Sequence, residues 1–151
     1  MTDPLTILAL GLPRPMGSKR LVGGTRRPRM IDVGSADLRR WQETIQLACH
    51  EAMTLSSWTT LEVPVVARFD FTMATPQRLE PRIRRAPHLP QPAATMPDID
   101  KLVRAAADAL TGRAYLDDRL ITKLTATKRY AGSHAALPTP GVMIQVKPWT
   151  P

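Results

Sequence analysis

Apolar and polar positions follow two periods along the chain, and the changes between them mark the elements. Thr6-Ile7-Leu8-Ala9-Leu10-Gly11-Leu12 is an apolar run that predicts a first strand. Behind Ser35, a good N-cap, the residues Leu38, Trp41, Ile45, Ala48, Cys49 and Ala52 recur at helical spacing and predict a helix over about 36–53. Val65, Ala67, Phe69, Phe71 and Met73 point one way and Arg68, Asp70 and Thr72 the other, the cleanest strand pattern in the chain. Ile99, Leu102, Val103, Ala106 and Leu110 form the stripe of a second helix from about Ile99 to Thr111, stopped by Gly112. A strand over about 119–129 sets Leu120, Leu124 and Ala126 against Lys123, Thr125, Thr127 and Arg129. A last strand, Gly141 to Lys147, alternates Val142, Ile144 and Val146 with Met143 and Gln145.

Two stretches break these periods. Arg14 to Arg29 is basic and rich in proline and glycine, and reads as a hairpin over about 14–31, turning at Gly23-Gly24. Thr75 to Pro97 holds six prolines with Arg78, Arg82, Arg84 and Arg85. That many prolines suit neither a central strand nor a helix interior, so a long basic loop is expected, partly disordered without a partner. The sum is one α+β domain over 1–151: two helices packed on a mostly antiparallel mixed sheet, without internal repeats.

Composition narrows the function. The 151 residues carry 21 Lys+Arg against 13 Asp+Glu, a formal charge of +8, which points to a polyanion and most simply to nucleic acid. One cysteine excludes a disulfide framework and a cysteine-based zinc site, and three scattered histidines show no ligand spacing. Aromatic residues at 5% argue against a base-stacking platform. No apolar run approaches a membrane span, and Met1-Thr2-Asp3-Pro4 does not open a signal peptide, so a reduced, cytoplasmic setting is expected, without membrane or small-molecule cofactor.

Against that positive balance, four acids stand out: Asp98, Asp100, Asp117 and Asp118. Converging carboxylates repel one another unless a positive group lies between them, and hard oxygen donors favour Mg²⁺ or Mn²⁺. Pro97 allows Asp98 to be an extended N-cap with Asp100 in the first turn, so both carboxylates lie near one helix end. On spacing alone, Asp98 reads first as a cap, Asp117-Asp118 as a turn, and Arg104 with Asp108 as a solvated helical pair. Asp100, Arg104 and Asp108, at i, i+4 and i+8, line one polar stripe.

Taken whole, Pro97-Asp98-Ile99-Asp100-Lys101-Leu102-Val103-Arg104, then Asp108-Ala109-Leu110-Thr111 and Tyr115-Leu116-Asp117-Asp118, resembles the RusA family of Holliday junction resolvases. The strong likeness covers about 97–121, and the order of elements fits the family over most of the chain. The resemblance implies a Mg²⁺-dependent endodeoxyribonuclease (Mn²⁺ substituting) that works as a homodimer on four-way branched DNA, leaving a 5′-phosphate and a 3′-hydroxyl. The family often occurs in phages and prophages, so a bacterial or phage-infected cell is implied.

By the same likeness, the metal-binding acids fall on Asp98, Asp100 and Asp118, with Asp117 an adjacent supporting acid. Arg104 stands where the family commonly has a catalytic lysine; arginine keeps the charge but is no proton donor near neutral pH. Lys101 stands where the family often has asparagine and would bring an ammonium near the phosphate. The DNA grip is expected from Lys19, Arg20, Arg26, Arg27 and Arg29 of the hairpin and from Arg82, Arg84 and Arg85 of the proline-rich loop. Two alternatives stay open: a non-catalytic DNA-binding protein that retains the fold, and a nuclease acting mainly on flaps, forks or RNA.

Overall fold

A computed structural model describes residues 3–17, 19–22, 29–32 and 35–151. Its elements are β1 (Leu5–Leu10), β2 (Lys19–Val22), β3 (Arg29–Asp32), α1 (Ser35–Ser56), β4 (Val65–Met73), α2 (Glu80–Arg85), α3 (Ile99–Leu110), β5 (Ile121–Tyr130) and β6 (Gly141–Pro148). Short 3₁₀ turns at Gln77–Leu79 and Asp118–Leu120 precede α2 and β5. The expected first strand is shifted back to Leu5–Leu10, because Gly11 at φ +140 takes a conformation that residues with side chains rarely adopt.

The main sheet has the order β1-β6-β4-β5, and β2 and β3 form a separate antiparallel pair. β6 runs antiparallel to both β1 and β4, whereas β4 and β5 run parallel. A parallel pair needs a long crossover, and the chain between Met73 and Ile121, with α3 in its middle, supplies it. The sheet is therefore mixed, and the class is α+β as expected.

The alternation along β4 buries Val65, Ala67, Phe69, Phe71 and Met73, which join Ile7, Ile144 and Val146 in one core with Trp41, Ile45 and Cys49 of α1. β5 departs from expectation: it is an edge strand, and Leu124, assigned to its inner face, is exposed. α3 packs deepest of the helices. Leu102, Val103, Ala105, Ala106, Ala107, Ala109 and Leu110 are all buried, and the alanine carbonyl at 105 accepts a hydrogen bond from Gln42 Nε2 of α1 at 3.0 Å.

The proline-rich segment is a correction. Instead of a loop alone, it contains α2, the third helix of the fold. Pro81 sits in the first turn, where the missing N–H has no intrahelical partner to lose, and Ile83 is buried as the anchor. Further on, Ala93 N–H donates to the Lys128 carbonyl and Tyr130 N–H to the Gln91 carbonyl, so this stretch lies along the open edge of β5. Proline is tolerated there because an edge has no ladder beyond it. Among the described residues no helix is long and apolar enough to cross a membrane.

Candidate functional site

The exposed residues of α3 are Asp100, Arg104 and Asp108; the rest of that helix is buried or half-buried. Steps of four residues keep the three within about 80° around the axis and spread them over about 12 Å along it.

At the N-terminal end, Asp98 has the extended backbone of an N-cap (φ −67, ψ 140), and its side chain makes no capping hydrogen bond. It reaches Lys101 Nζ instead, at 3.3 Å. Asp98 and Asp100 both line an open cleft of about 890 Å³ whose opposite wall includes Thr127, Lys128 and Arg129 of β5.

At the other end, Asp118 stands near Asp108, close enough for its charge to act on the Asp108 carboxyl. Burial and then the Asp118 charge push the Asp108 carboxyl above its ordinary value, and Arg104 draws it part of the way back. Beneath them Tyr115 is fully buried; its hydroxyl donates to the Ala107 carbonyl at 2.9 Å, and burial followed by the charges of Asp118 and Asp108 raises its pKa. Asp117 is turned to its own loop, where its side chain accepts from Arg119 N–H at 2.9 Å and fixes the turn that carries Asp118.

The expected acids therefore fall into two groups on one stripe. Asp98 and Asp100 share a cleft, Asp118 stands with Asp108, and Arg104 lies between them. Among the described residues no three acids, histidines or cysteines gather tightly enough to hold a metal ion. Sequence reasoning placed Asp108 on the polar stripe but outside the site. The signal that would have included it was the i, i+4, i+8 register with the two residues already chosen.

Of the expected grip residues, Arg82, Arg84 and Arg85 are exposed on α2 beside exposed Arg78, and among the described residues none of these four forms an ion pair. Lys19 and Arg20 fall in β2 and Arg29 in β3, paired Lys19 to Asp32 through Val22 to Arg29. Arg26, Arg27 and the expected Gly23-Gly24 turn lie outside the described residues. The chain reaches this hairpin from beside α3, since Met16 N–H donates to the Lys101 carbonyl at 2.9 Å.

These features define an α+β protein that shows solvent a stripe of carboxylates and one arginine from a helix otherwise held in the core. The family model for endodeoxyribonuclease RusA matches residues 13–147, nearly the whole chain, and the protein belongs to that endodeoxyribonuclease family. Comparison with individual curated proteins gives no match.

Proposed function

We propose that the protein is a divalent-metal-dependent endonuclease that resolves four-way DNA junctions in recombination and repair. The observation that carries this reading is the charged stripe of α3, which lies inside the matched family region and opens at Asp98 and Asp100 onto an open cleft.

The donor set suits a hard cation. All the acids offer carboxylate oxygens, and Asp108 and Asp118 are like-charged neighbours whose repulsion a cation or a proton relieves. The carboxylates that would take Mg²⁺, or Mn²⁺ in its place, stand as two pairs, Asp98 with Asp100 on the cleft and Asp118 with Asp108 farther along α3, and Asp117 braces the turn below Asp118. When bound, the metal supplies a water of lowered pKa and neutralises charge on the scissile phosphate. Arg104 keeps a fixed positive charge between the two acid groups, where it stabilises the extra negative charge of the phosphate as it is attacked. As a guanidinium it stays protonated, so its part is electrostatic. Lys101, paired with Asp98, steadies that carboxylate and adds a second cation near the phosphate.

The hairpin residues Lys19, Arg20, Arg26, Arg27 and Arg29, with Arg82, Arg84 and Arg85 of α2, grip the backbone without reading bases. A junction is cut on two opposed strands, which a twofold homodimer matches by symmetry.

A second reading is favoured by one observation, the lack of a three-acid group among the described residues: the fold binds branched DNA without cutting it. Labelled four-way junction, fork, flap and RNA substrates, incubated with Mg²⁺ and with chelator, decide between the two. Paired symmetric nicks in the junction that vanish with chelator support resolution. Binding without nicks selects the second reading, and faster cutting of fork, flap or RNA changes the substrate.

A further inference from the structure

The segment that delivers Asp98 is held from the edge of the sheet. Ala93 N–H donates to the Lys128 carbonyl at 3.0 Å, Tyr130 N–H donates to the Gln91 carbonyl at 2.9 Å, and Pro92 bridges Arg129 in antiparallel fashion. Past Ala93, side chains take over. Thr95 Oγ1 and the Tyr130 hydroxyl are 3.0 Å apart, and Lys128 Nζ donates to two carbonyls, that of Thr95 at 2.5 Å and that of Pro97 at 2.7 Å.

The Pro97 carbonyl belongs to the peptide group that Pro97 shares with Asp98. Pinning its oxygen fixes the plane from which the Asp98 backbone departs. Among the described residues the Asp98 side chain makes no capping hydrogen bond and pairs only with Lys101 of the next turn, at 3.3 Å, while its carbonyl starts the helix by accepting from Leu102 N–H at 3.2 Å. An ammonium is well suited to hold this segment, because it has donors for two carbonyls at once, needs no acceptor partner, and makes charge-assisted bonds. Lys128 also faces the same cleft as Asp98 and Asp100.

We propose that Lys128 is a positioning residue that sets, through the Thr95 and Pro97 carbonyls, where the Asp98 and Asp100 carboxylates stand, and with that the site's affinity for a divalent cation. This rests on the metal-dependent reading above. Groups that orient ligands from behind commonly change metal affinity by roughly 10–100-fold when removed.

The test compares full-length wild type, Lys128→Met and Lys128→Arg without DNA. Mn²⁺ binding is followed by electron paramagnetic resonance, and backbone hydrogen exchange by mass spectrometry. Lys128→Met is expected to weaken Mn²⁺ binding by about 10–100-fold and to speed exchange over residues 91–101 while the core strands stay protected. Lys128→Arg, which keeps charge and several N–H donors, restores most of the affinity. If circular dichroism shows Lys128→Met unfolded, Lys128→Gln, with one amide donor pair, is read instead and loses an intermediate amount. A folded Met or Gln variant that binds Mn²⁺ as tightly as wild type overturns the proposal, even where wild type cuts junctions. Wild type that binds Mn²⁺, loses it on Lys128→Met and leaves junctions uncut overturns the nuclease reading and leaves this one standing.

Discussion

Asp108 and Asp118 are neighbours because a helix face and the turn that precedes a strand approach each other, so that the charge of one acts on the other. A local pattern exposes only half of such a contact. The register of Asp100, Arg104 and Asp108 was legible in the sequence, since helical geometry fixes it, but the partner of Asp108 depended on where the turn at Asp117 returned. That turn reaches the C-terminal half of α3, about 12 Å along the axis from Asp100. The roles on the stripe separate by mutation. Asp100→Asn removes a charge from the cleft wall and adds none elsewhere, so cleavage should be abolished while junction binding in chelator stays the same or tightens. Gel-shift and nicking assays on one preparation check this, and equal loss of both would mark Asp100 as structural. Cys49, expected on the apolar face of its helix, is fully buried, and burial pushes its thiol from 9.0 up to about 11. The thiol therefore stays protonated in the folded protein while an unfolded thiol ionises. The stability this confers is complete below pH 9 and is lost as pH rises toward 11, at most about 2–3 kcal/mol. Urea unfolding of wild type and Cys49→Ala at pH 8 and pH 10.5 should show the larger decline in wild type.

The elements were legible wherever one period ran long enough. α1, β4, α3 and β6 all fall within a few residues of the positions that periodicity assigns. α2 was missed for a physical reason: proline forbids a helix interior but not a first turn, and the chain uses Pro81 at that tolerated place. β5 was located and its faces assigned, since Leu124 and Ala126 pair in register with Ala67 and Phe69 of the core face, but Leu124 stays exposed because an edge strand is only partly covered. The end of α1 offers a test of local geometry. Ser57 has φ 53, Trp58 N–H donates to the Met53 carbonyl at 2.9 Å, and Ser57 N–H donates to the Thr54 carbonyl at 3.4 Å. This is the Schellman arrangement, with serine where glycine is usual. A residue bearing Cβ costs about 1 kcal/mol or more in that conformation. Ser57→Gly should therefore raise the thermal midpoint by about 2–4 °C, read by differential scanning calorimetry. An unchanged or lower midpoint would mean that the entropy of the unfolded glycine outweighs the relief.

On the scale of the whole molecule, the charge of +8 is unevenly available for binding. Arg14 and Arg40 both approach Asp37 at 3.8 Å, and Arg68 and Arg129 converge on Asp70, at 2.7 and 3.9 Å, so part of their charge is already answered within the fold. The exposed arginines of α2 have no such partner among the described residues, and Ile83 fixes the helix that carries them. On the proposed reading they release counterions from a phosphate backbone. Each phosphate contact contributes about 0.9 to the slope of log affinity against log salt. The Arg82→Ala, Arg84→Ala and Arg85→Ala triple variant should therefore flatten the slope for a four-way junction by up to about 3. Asp100→Asn should leave that slope unchanged, because it alters the cleft and not the grip. Fluorescence anisotropy in chelator, across a salt series, measures both on uncut DNA. Equal slopes for wild type and the triple variant would remove α2 from the DNA surface and leave the hairpin to carry the grip, a result that nicking assays alone could not reveal, since they report grip and chemistry together.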